Sequence, residues 1–157
     1  MPRFLVTVVF LLAWLRSTCD WQHKVGRVTD LGQIGIVDPQ CRAIGLHAYD
    51  GIFQAIPLDS KGALHTEAFD MRLPELQVAA MCFLDAQPQP TLALLHQDAK
   101  EKRHLKTYVV SFKDKELRDG PFAQSNIDAS AGTLIPVAAP FGGVIIIGEE
   151  VRAVLCL

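Results

Sequence analysis

The fold is decided between Gln33 and Asp59, in the stretch QIGIVDPQCRAIGLHAYDGIFQAIPLD. Three short apolar runs are separated there by two turn signals, Asp38-Pro39 and Asp50-Gly51. An Asp-Gly pair between apolar segments favours a two-residue hairpin turn, and we expect positive φ at both of its residues. The stretch therefore predicts a tight antiparallel meander, which is a scaffold and not a catalytic loop.

The same pattern continues to the end of the chain. Short apolar segments alternate with turn residues, and no stretch keeps a helical period over a normal helix length, so we predict an all-β fold. The predicted strands are Ile34–Val37, Ala43–Tyr49, Ile52–Leu58, Leu64–Phe69, Val78–Leu84, Thr91–His96, His104–Phe112, Thr133–Pro136, Val144–Gly148 and Val151–Cys156.

Turn chemistry separates nearly all of these strands. Gly, Pro, Asp and Ser favour turns because they accept positive φ, fix φ or bond to the nearby backbone. The predicted turns include Ser60-Lys61-Gly62, Gln87-Pro88-Gln89-Pro90, Asp98-Ala99-Lys100, Asp119-Gly120-Pro121 and Pro140-Phe141-Gly142-Gly143.

Comparable first strands recur near Ile34, Val78 and Thr133. Their spacing is close to the roughly 40 to 50 residues of a four-stranded propeller blade. Propellers close with about four to eight blades, and this sequence holds about two to three. We therefore predict a partial β-propeller that does not complete a ring alone, as expected of a fragment.

Composition limits the classes of function. The 157 residues are 50% hydrophobic and 20% charged, which is typical of one globular domain. The net charge of −2 gives no domain-wide positive field, so generic binding to nucleic acid is disfavoured.

Four scattered cysteines argue against a zinc site. Cys19, Cys41, Cys82 and Cys156 form no C-x-x-C pair and have no histidine at ligand spacing. Two of them, Cys41 and Cys82, fall in or beside predicted strands, where we expect free thiols to be small buried hydrophobes. This usage favours a reducing compartment.

The amino-terminal apolar run from Phe4 to Leu15 is shorter than a membrane span. Three interpretations remain: a secretory signal peptide, a buried element of the fold, or a start joined to an older domain by the gene model. Composition changes abruptly near Trp21 to Lys24, so we divide the chain into a leader at 1–22 and a partial propeller domain at 23–157.

The sequence offers no catalytic, cofactor-binding or metal-binding residue. His47 stands next to a predicted hairpin, where a polar-face or packing role is commoner than acid/base chemistry. His65, His96 and His104 lie on separate predicted strands without short ligand spacing. No serine has a nucleophile setting and no glycine-rich loop precedes a helix.

One basic cluster is the strongest electrostatic patch of the sequence. It is interrupted by Asp98 and Glu101, so we interpret it as a solvated hairpin edge, with nucleic-acid contact as the alternative. Two aromatic residues, Trp21 and Phe122, are either partner anchors or plugs of blade interiors. The cluster comprises Lys100, Lys102, Arg103, His104 and Lys106.

Five collinear motifs resemble the family of DNA damage-binding protein 1, the large subunit of the damaged-DNA-binding complex. The resemblance runs from roughly His23 to Val151, and a family G-R-P-T segment is matched with Val28 in place of proline. The motifs are YDGIFQAIP at Tyr49 to Pro57, RLPELQV at Arg72 to Val78, HQD at His96 to Asp98, RHLKTYVVS at Arg103 to Ser111 and PFGGVIIIGEE at Pro140 to Glu150.

The resemblance implies part of the first of three propellers in a non-enzymatic adaptor. In that family the first and third propellers clamp substrate-receptor proteins, and the second, absent here, holds cullin-4 in a ubiquitin ligase that serves DNA repair. A location in the nucleus and cytoplasm is implied, with no cofactor, no membrane, and nucleic acid reached only indirectly or within a complex.

Two other functions stay open at this point. The related cleavage/polyadenylation and splicing-factor branches share the propeller architecture and would make the chain a nucleic-acid-associated protein. A genuine leader would instead make it a secreted β protein.

Overall fold

The computed structural model describes residues 27–29, 32–59 and 67–149, with the backbone of Arg152–Val154. Within these ranges the chain forms eleven strands and no helix. The strands are β1 (Ile34–Val37), β2 (Ala43–Tyr49), β3 (Ile52–Pro57), β4 (Phe69–Arg72), β5 (Val78–Phe83), β6 (Thr91–Gln97), β7 (Arg103–Ser111), β8 (Glu116–Ile127), β9 (Thr133–Pro136), β10 (Val144–Ile147) and β11 (Arg152–Val154).

The strands form three antiparallel meanders in chain order. Sheet I contains β1 to β4, sheet II contains β5 to β8, and sheet III contains β9 to β11. Their first strands begin at Ile34, Val78 and Thr133, so the predicted blade repeat is confirmed. Neighbouring sheets are in contact through their first strands, as expected of blades arranged around an axis.

Most predicted strands are present, and three have the predicted bounds: β1, β2 and β9. The predicted strand Leu64–Phe69 lies partly outside the described residues, and the strand that the structure places there is β4, Phe69–Arg72. The leader at 1–22, and with it the three interpretations of that segment, also lies outside the described residues. The described residues include no helix long and apolar enough to cross a membrane.

The prediction of a turn at Asp119-Gly120-Pro121 is wrong, because these residues lie inside the longest strand, β8. The register against β7 shifts between the pairs Tyr108↔Asp119 and Lys106↔Ala123, so three residues of β8 oppose Thr107 alone. The Thr107 hydroxyl donates to the Phe122 carbonyl at 2.5 Å and accepts from the Phe122 amide at 3.2 Å. A bulge, not a reversal, explains the Gly-Pro pair in this edge strand.

The turn between β2 and β3 also differs from the prediction. Gly51 has a φ of +77°, whereas Asp50 is not in the left-handed region. Between Leu46 and Tyr49 the strand β2 carries one residue more than β3 opposite. Because this bulge changes how the strands approach, the hairpin closes with positive φ at only one central position.

The core lies between the sheets. Sheets I and II pack around Phe53 and Phe83, whose rings meet edge to face with centroids 6.4 Å apart. Sheets II and III share a second cluster that includes Leu95, Leu105 and Ile146. Each sheet therefore buries apolar side chains against its neighbour, which is how propeller blades are stabilised.

The two described cysteines differ. Cys82 is a buried free thiol, as predicted, and burial raises its pKa to about 12. Cys41 is a free but exposed thiol, so the prediction of a buried hydrophobe is wrong there. It lies in the turn after Asp38-Pro39 with a φ of +55°, and turn residues are usually at the surface.

Candidate functional site

A groove opens where three connections meet at one end of sheets I and II. We call it the connector groove, because its floor is residues 74–77 of the connection between β4 and β5. Arg27 precedes sheet I, Asp50 lies in its β2–β3 hairpin, and sheet II contributes His96, Gln97 and the hairpin residue Ala99. Its volume is about 680 Å³, within the roughly 300 to 1,000 Å³ of known ligand sites.

The connector is fixed at both ends by backbone hydrogen bonds. The Leu73 amide donates to the Gly51 carbonyl at 2.9 Å, which ties the connector to the hairpin of sheet I. The Gln97 amide donates to the Gln77 carbonyl at 2.9 Å, which ties it to sheet II. The groove is thus a preformed feature of the junction between two blades.

A buried carboxylate anchors the middle of the connector. Oε1 of Glu75 accepts from Lys106 Nζ and from the Tyr108 hydroxyl, both at 2.8 Å, and Lys106 also donates to that hydroxyl at 2.9 Å. Burial alone would raise the pKa of Glu75, but these hydrogen bonds hold it below its usual value. The same contacts raise the pKa of Lys106. Glu75 and Lys106 are therefore both charged at neutral pH.

Two histidines line up beside the groove. His96 and His104 are cross-strand partners in β6 and β7, and their rings stack with centroids 5.3 Å apart. His104 Nε2 lies 3.2 Å from the Asp98 carboxylate, while burial lowers the pKa of His96. At neutral pH His96 accordingly presents an uncharged ring to the groove.

Sequence reasoning placed these two histidines on separate strands and missed the pair. The signal was present: both lie four residues from Lys100, the centre of the predicted turn. Residues equidistant from the centre of a hairpin face each other across it. The resulting pair is a stacked ring contact, and no group of three possible metal ligands occurs among the described residues.

The structure divides the predicted basic cluster. Lys106 is paired with Glu75, His104 contacts Asp98, and Arg103 donates to the Ala131 carbonyl. Only Lys100 and Lys102 of that cluster are exposed. The hairpin tip is therefore solvated, and the cluster is not one continuous patch.

The other singled-out residues have structural positions. His47 is buried, with Nδ1 3.0 Å from the Ile52 carbonyl. Phe122 is partly buried and packs against the second core cluster. Trp21 and His65 lie outside the described residues.

The repeated four-stranded meanders, packed face to face with a groove at a blade junction, define a β-propeller protein. The chain belongs to the family described as "RSE1/DDB1/CPSF1 first beta-propeller", whose model matches residues 13–154. The fold prediction of an all-β partial propeller and the family resemblance are both confirmed.

Plant relatives support the same placement. The chain is 57% identical to DNA damage-binding protein 1 of Oryza sativa subsp. japonica over 135 residues. It is 56% identical to the protein of that name from Solanum lycopersicum and to DNA damage-binding protein 1b of Arabidopsis thaliana. Each match covers 86% of this chain, which spans 12% of the length of these relatives.

Proposed function

We propose that this chain is a non-enzymatic protein-interaction scaffold, part of an adaptor that joins substrate receptors to cullin-4 ubiquitin ligases in DNA repair. The observation that carries the proposal is the 57% identity to a DNA damage-binding protein 1 over 86% of the chain. The mechanism is rigid presentation of strand ends and loops, and it involves no bond-making chemistry.

The rigidity of the blade junction supports this mechanism. Backbone hydrogen bonds hold both ends of the connector, and Glu75 anchors its middle. A preformed surface lowers the entropic cost of binding a partner. We assign the receptor contacts to this chain and the cullin contact to the propeller that the family places elsewhere.

Binding to purified receptors tests the proposal. We expect the full 157-residue chain to bind a substrate receptor of a cullin-4 ligase in biolayer interferometry and to show no binding to purified cullin-4. The matched control is Phe53→Asp, which places a charge in the core between sheets I and II. Absence of receptor binding by the folded wild-type chain would contradict the proposal.

Location gives a second test. We propose that the chain is nuclear and cytoplasmic, and we expect a carboxy-terminally tagged chain to be recovered in both the nuclear and the cytoplasmic fractions of cells. Recovery of the tagged chain from the medium with its leader removed would support the secreted alternative.

The cleavage/polyadenylation and splicing-factor alternative is favoured by one observation, the shared family description. It predicts that the chain associates with RNA-bound complexes. Crosslinking to RNA in cells at the level of a known RNA-binding control would favour that alternative over the ligase adaptor.

A further inference from the structure

The connector groove keeps apolar surface open to solvent. Leu76, 60% exposed, is among the few large apolar side chains that remain exposed in the described part of the chain. It lies on the connector beside Pro74, over the hairpin glycine Gly51. An exposed apolar side chain in a fixed groove is typical of a binding surface.

Polar groups lie beside the apolar residues Pro74 and Leu76. The uncharged ring of His96 and the residues Gln77 and Gln97 lie on the sheet II side. These groups donate and accept hydrogen bonds without demanding a charged ligand. They suit the backbone of a polypeptide segment.

The charges that a partner meets are mostly positive. The Glu75 carboxylate is neutralised by Lys106, and Asp98 is engaged by His104 and by backbone amides of the hairpin. At the rim Arg27 Nε forms an ion pair with the Asp50 carboxylate at 3.9 Å, in which the Arg27 side chain is 73% exposed and that of Asp50 is 17% exposed. The hairpin tip adds two exposed lysines, Lys100 and Lys102, and one exposed carboxylate, Glu101.

We propose that the connector groove binds a short acidic segment of a partner protein that carries leucine-like side chains. An apolar side chain of the partner covers Leu76 and Pro74, and carboxylates beside it face Lys100 and Lys102. The inference rests on the proposed function, since it takes the occupant to be a protein. It adds the chemistry by which that partner is recognised.

Peptide binding tests the inference on the full 157-residue chain. The probe is a fluorescein-labelled peptide of sequence GSDLEDLGS, followed by fluorescence anisotropy in low salt. Two matched peptides remove one feature each: GSNLQNLGS lacks the charges and GSDSEDSGS lacks the leucines. We expect GSDLEDLGS to bind at least about tenfold more tightly than either, because each feature contributes separately.

Variants locate the site. Leu76→Ser should weaken binding of GSDLEDLGS about tenfold. The double variant Lys100→Gln/Lys102→Gln should weaken it several-fold, and raising the salt concentration should reduce that difference. The matched controls on the other end of the sheets are Phe141→Ser, at a side chain 70% exposed, and Lys113→Gln.

A measurement on the wild-type chain does not depend on whether the variants fold. In the wild-type chain the peptide should shift the amide resonances of Gly51, Leu76 and Gln97 and leave that of Phe141 in place. No binding of GSDLEDLGS, binding unaffected by Leu76→Ser, or shifts confined to other residues would each overturn the inference. Preferential binding of a labelled 20-nucleotide oligo(dT), lost in the lysine double variant, would also overturn it in favour of nucleic acid.

The receptor assay separates this inference from the proposed function. Receptor binding that does not change in Leu76→Ser, together with no peptide binding, would reject the groove and keep the scaffold. Peptide binding at the groove without any receptor binding would reject the adaptor role and keep the groove.

Discussion

The two ends of the sheets join neighbouring blades in different ways. At the groove end, Glu75 on the connector reaches Lys106 and Tyr108 of sheet II, and an opening remains above them. At the opposite end, Arg42 in the loop between β1 and β2 holds Asp38 and also donates to the Gln87 carbonyl of sheet II at 2.9 Å.

The carboxylate is the buried partner at both ends, and the difference lies in how far its cationic partner is exposed. The Asp38 side chain is fully buried and Arg42 is 25% exposed, whereas Glu75 is 6% exposed and its partner Lys106 is 40% exposed. The Ala139 amide donates to the Asp85 carboxylate at 3.3 Å, which extends the contacts of the opposite end to sheet III. Hydrogen bonds therefore connect all three sheets at the opposite end, which we call the closed brace. At the groove end a hydrogen-bonded connector joins two sheets and leaves a groove open between them.

Arg42→Ala should have the largest effect on stability. The guanidinium donates to both oxygens of Asp38, at 2.7 and 3.0 Å, and its loss leaves a buried carboxylate with a backbone amide as its remaining donor. We expect the free energy of unfolding to fall by about 3 kcal/mol, measured by urea denaturation. Arg42→Lys keeps the charge but loses the bidentate contact, so the fall in the free energy of unfolding should be intermediate.

Glu75→Ala should have the second largest effect on stability. It removes the acceptor of Lys106 and of the buried Tyr108 hydroxyl, but Lys106 is exposed enough to reach water. We expect a loss of about 2 kcal/mol in the same assay. As the matched control, Glu116→Ala at the opposite end removes an exposed carboxylate that pairs with the exposed Arg118, and it should leave the unfolding midpoint unchanged within error. A larger loss for Glu75→Ala than for Arg42→Ala would reverse our ranking of the two ends.

Whether the sequence predicts the contacts at each end depends on how far apart the partner residues lie along the chain. Asp38 and Arg42 are four residues apart, and the Asp-Pro turn signal already places them in one loop. The partners of Glu75 lie 31 and 33 positions away, so no local pattern brings them together. The connector groove could not be predicted from the sequence for the same reason, since it exists only where two sheets meet.

Strand prediction failed where the same residues are typical of two different local structures. The bounds of β1, β2 and β9 followed from turn residues on both sides. The Gly-Pro pair at Gly120 and Pro121 is equally typical of a turn and of a bulge in an edge strand. A Cβ at position 120 would overlap Thr107, so the glycine is required by close packing, which the sequence does not display.

A pH dependence should belong to the groove end. Burial lowers the pKa of His96 in the folded chain, whereas the unfolded chain keeps the ordinary value of about 6.5. The unfolded state therefore takes up a proton first, and stability should be full above pH 6.5 and decline as the pH falls below it. Melting temperatures of the wild type and of His96→Gln between about pH 7.5 and 5.5 check this. An equal decline in the variant would show that other groups are responsible.

The smallest expected effect is chemical and compares the exposed loop with the core. At pH 8 iodoacetamide should modify Cys41 in the folded chain, because its thiol is exposed in the loop of the opposite end. Cys82 should react only after unfolding, since it is buried and its pKa is raised to about 12, which leaves almost no thiolate. Peptide mass spectrometry assigns each adduct to its cysteine.

Modification of Cys41 should leave the unfolding midpoint nearly unchanged, because its side chain is outside the core while the brace depends on Asp38 and Arg42. In Arg42→Ala, Cys82 should react sooner than in the wild type, as global unfolding becomes more frequent. Equal rates for the two thiols in the folded wild-type chain would mean that sheet II opens locally without unfolding. The opposite end would then be no closed brace, and the contrast between the two ends would not hold.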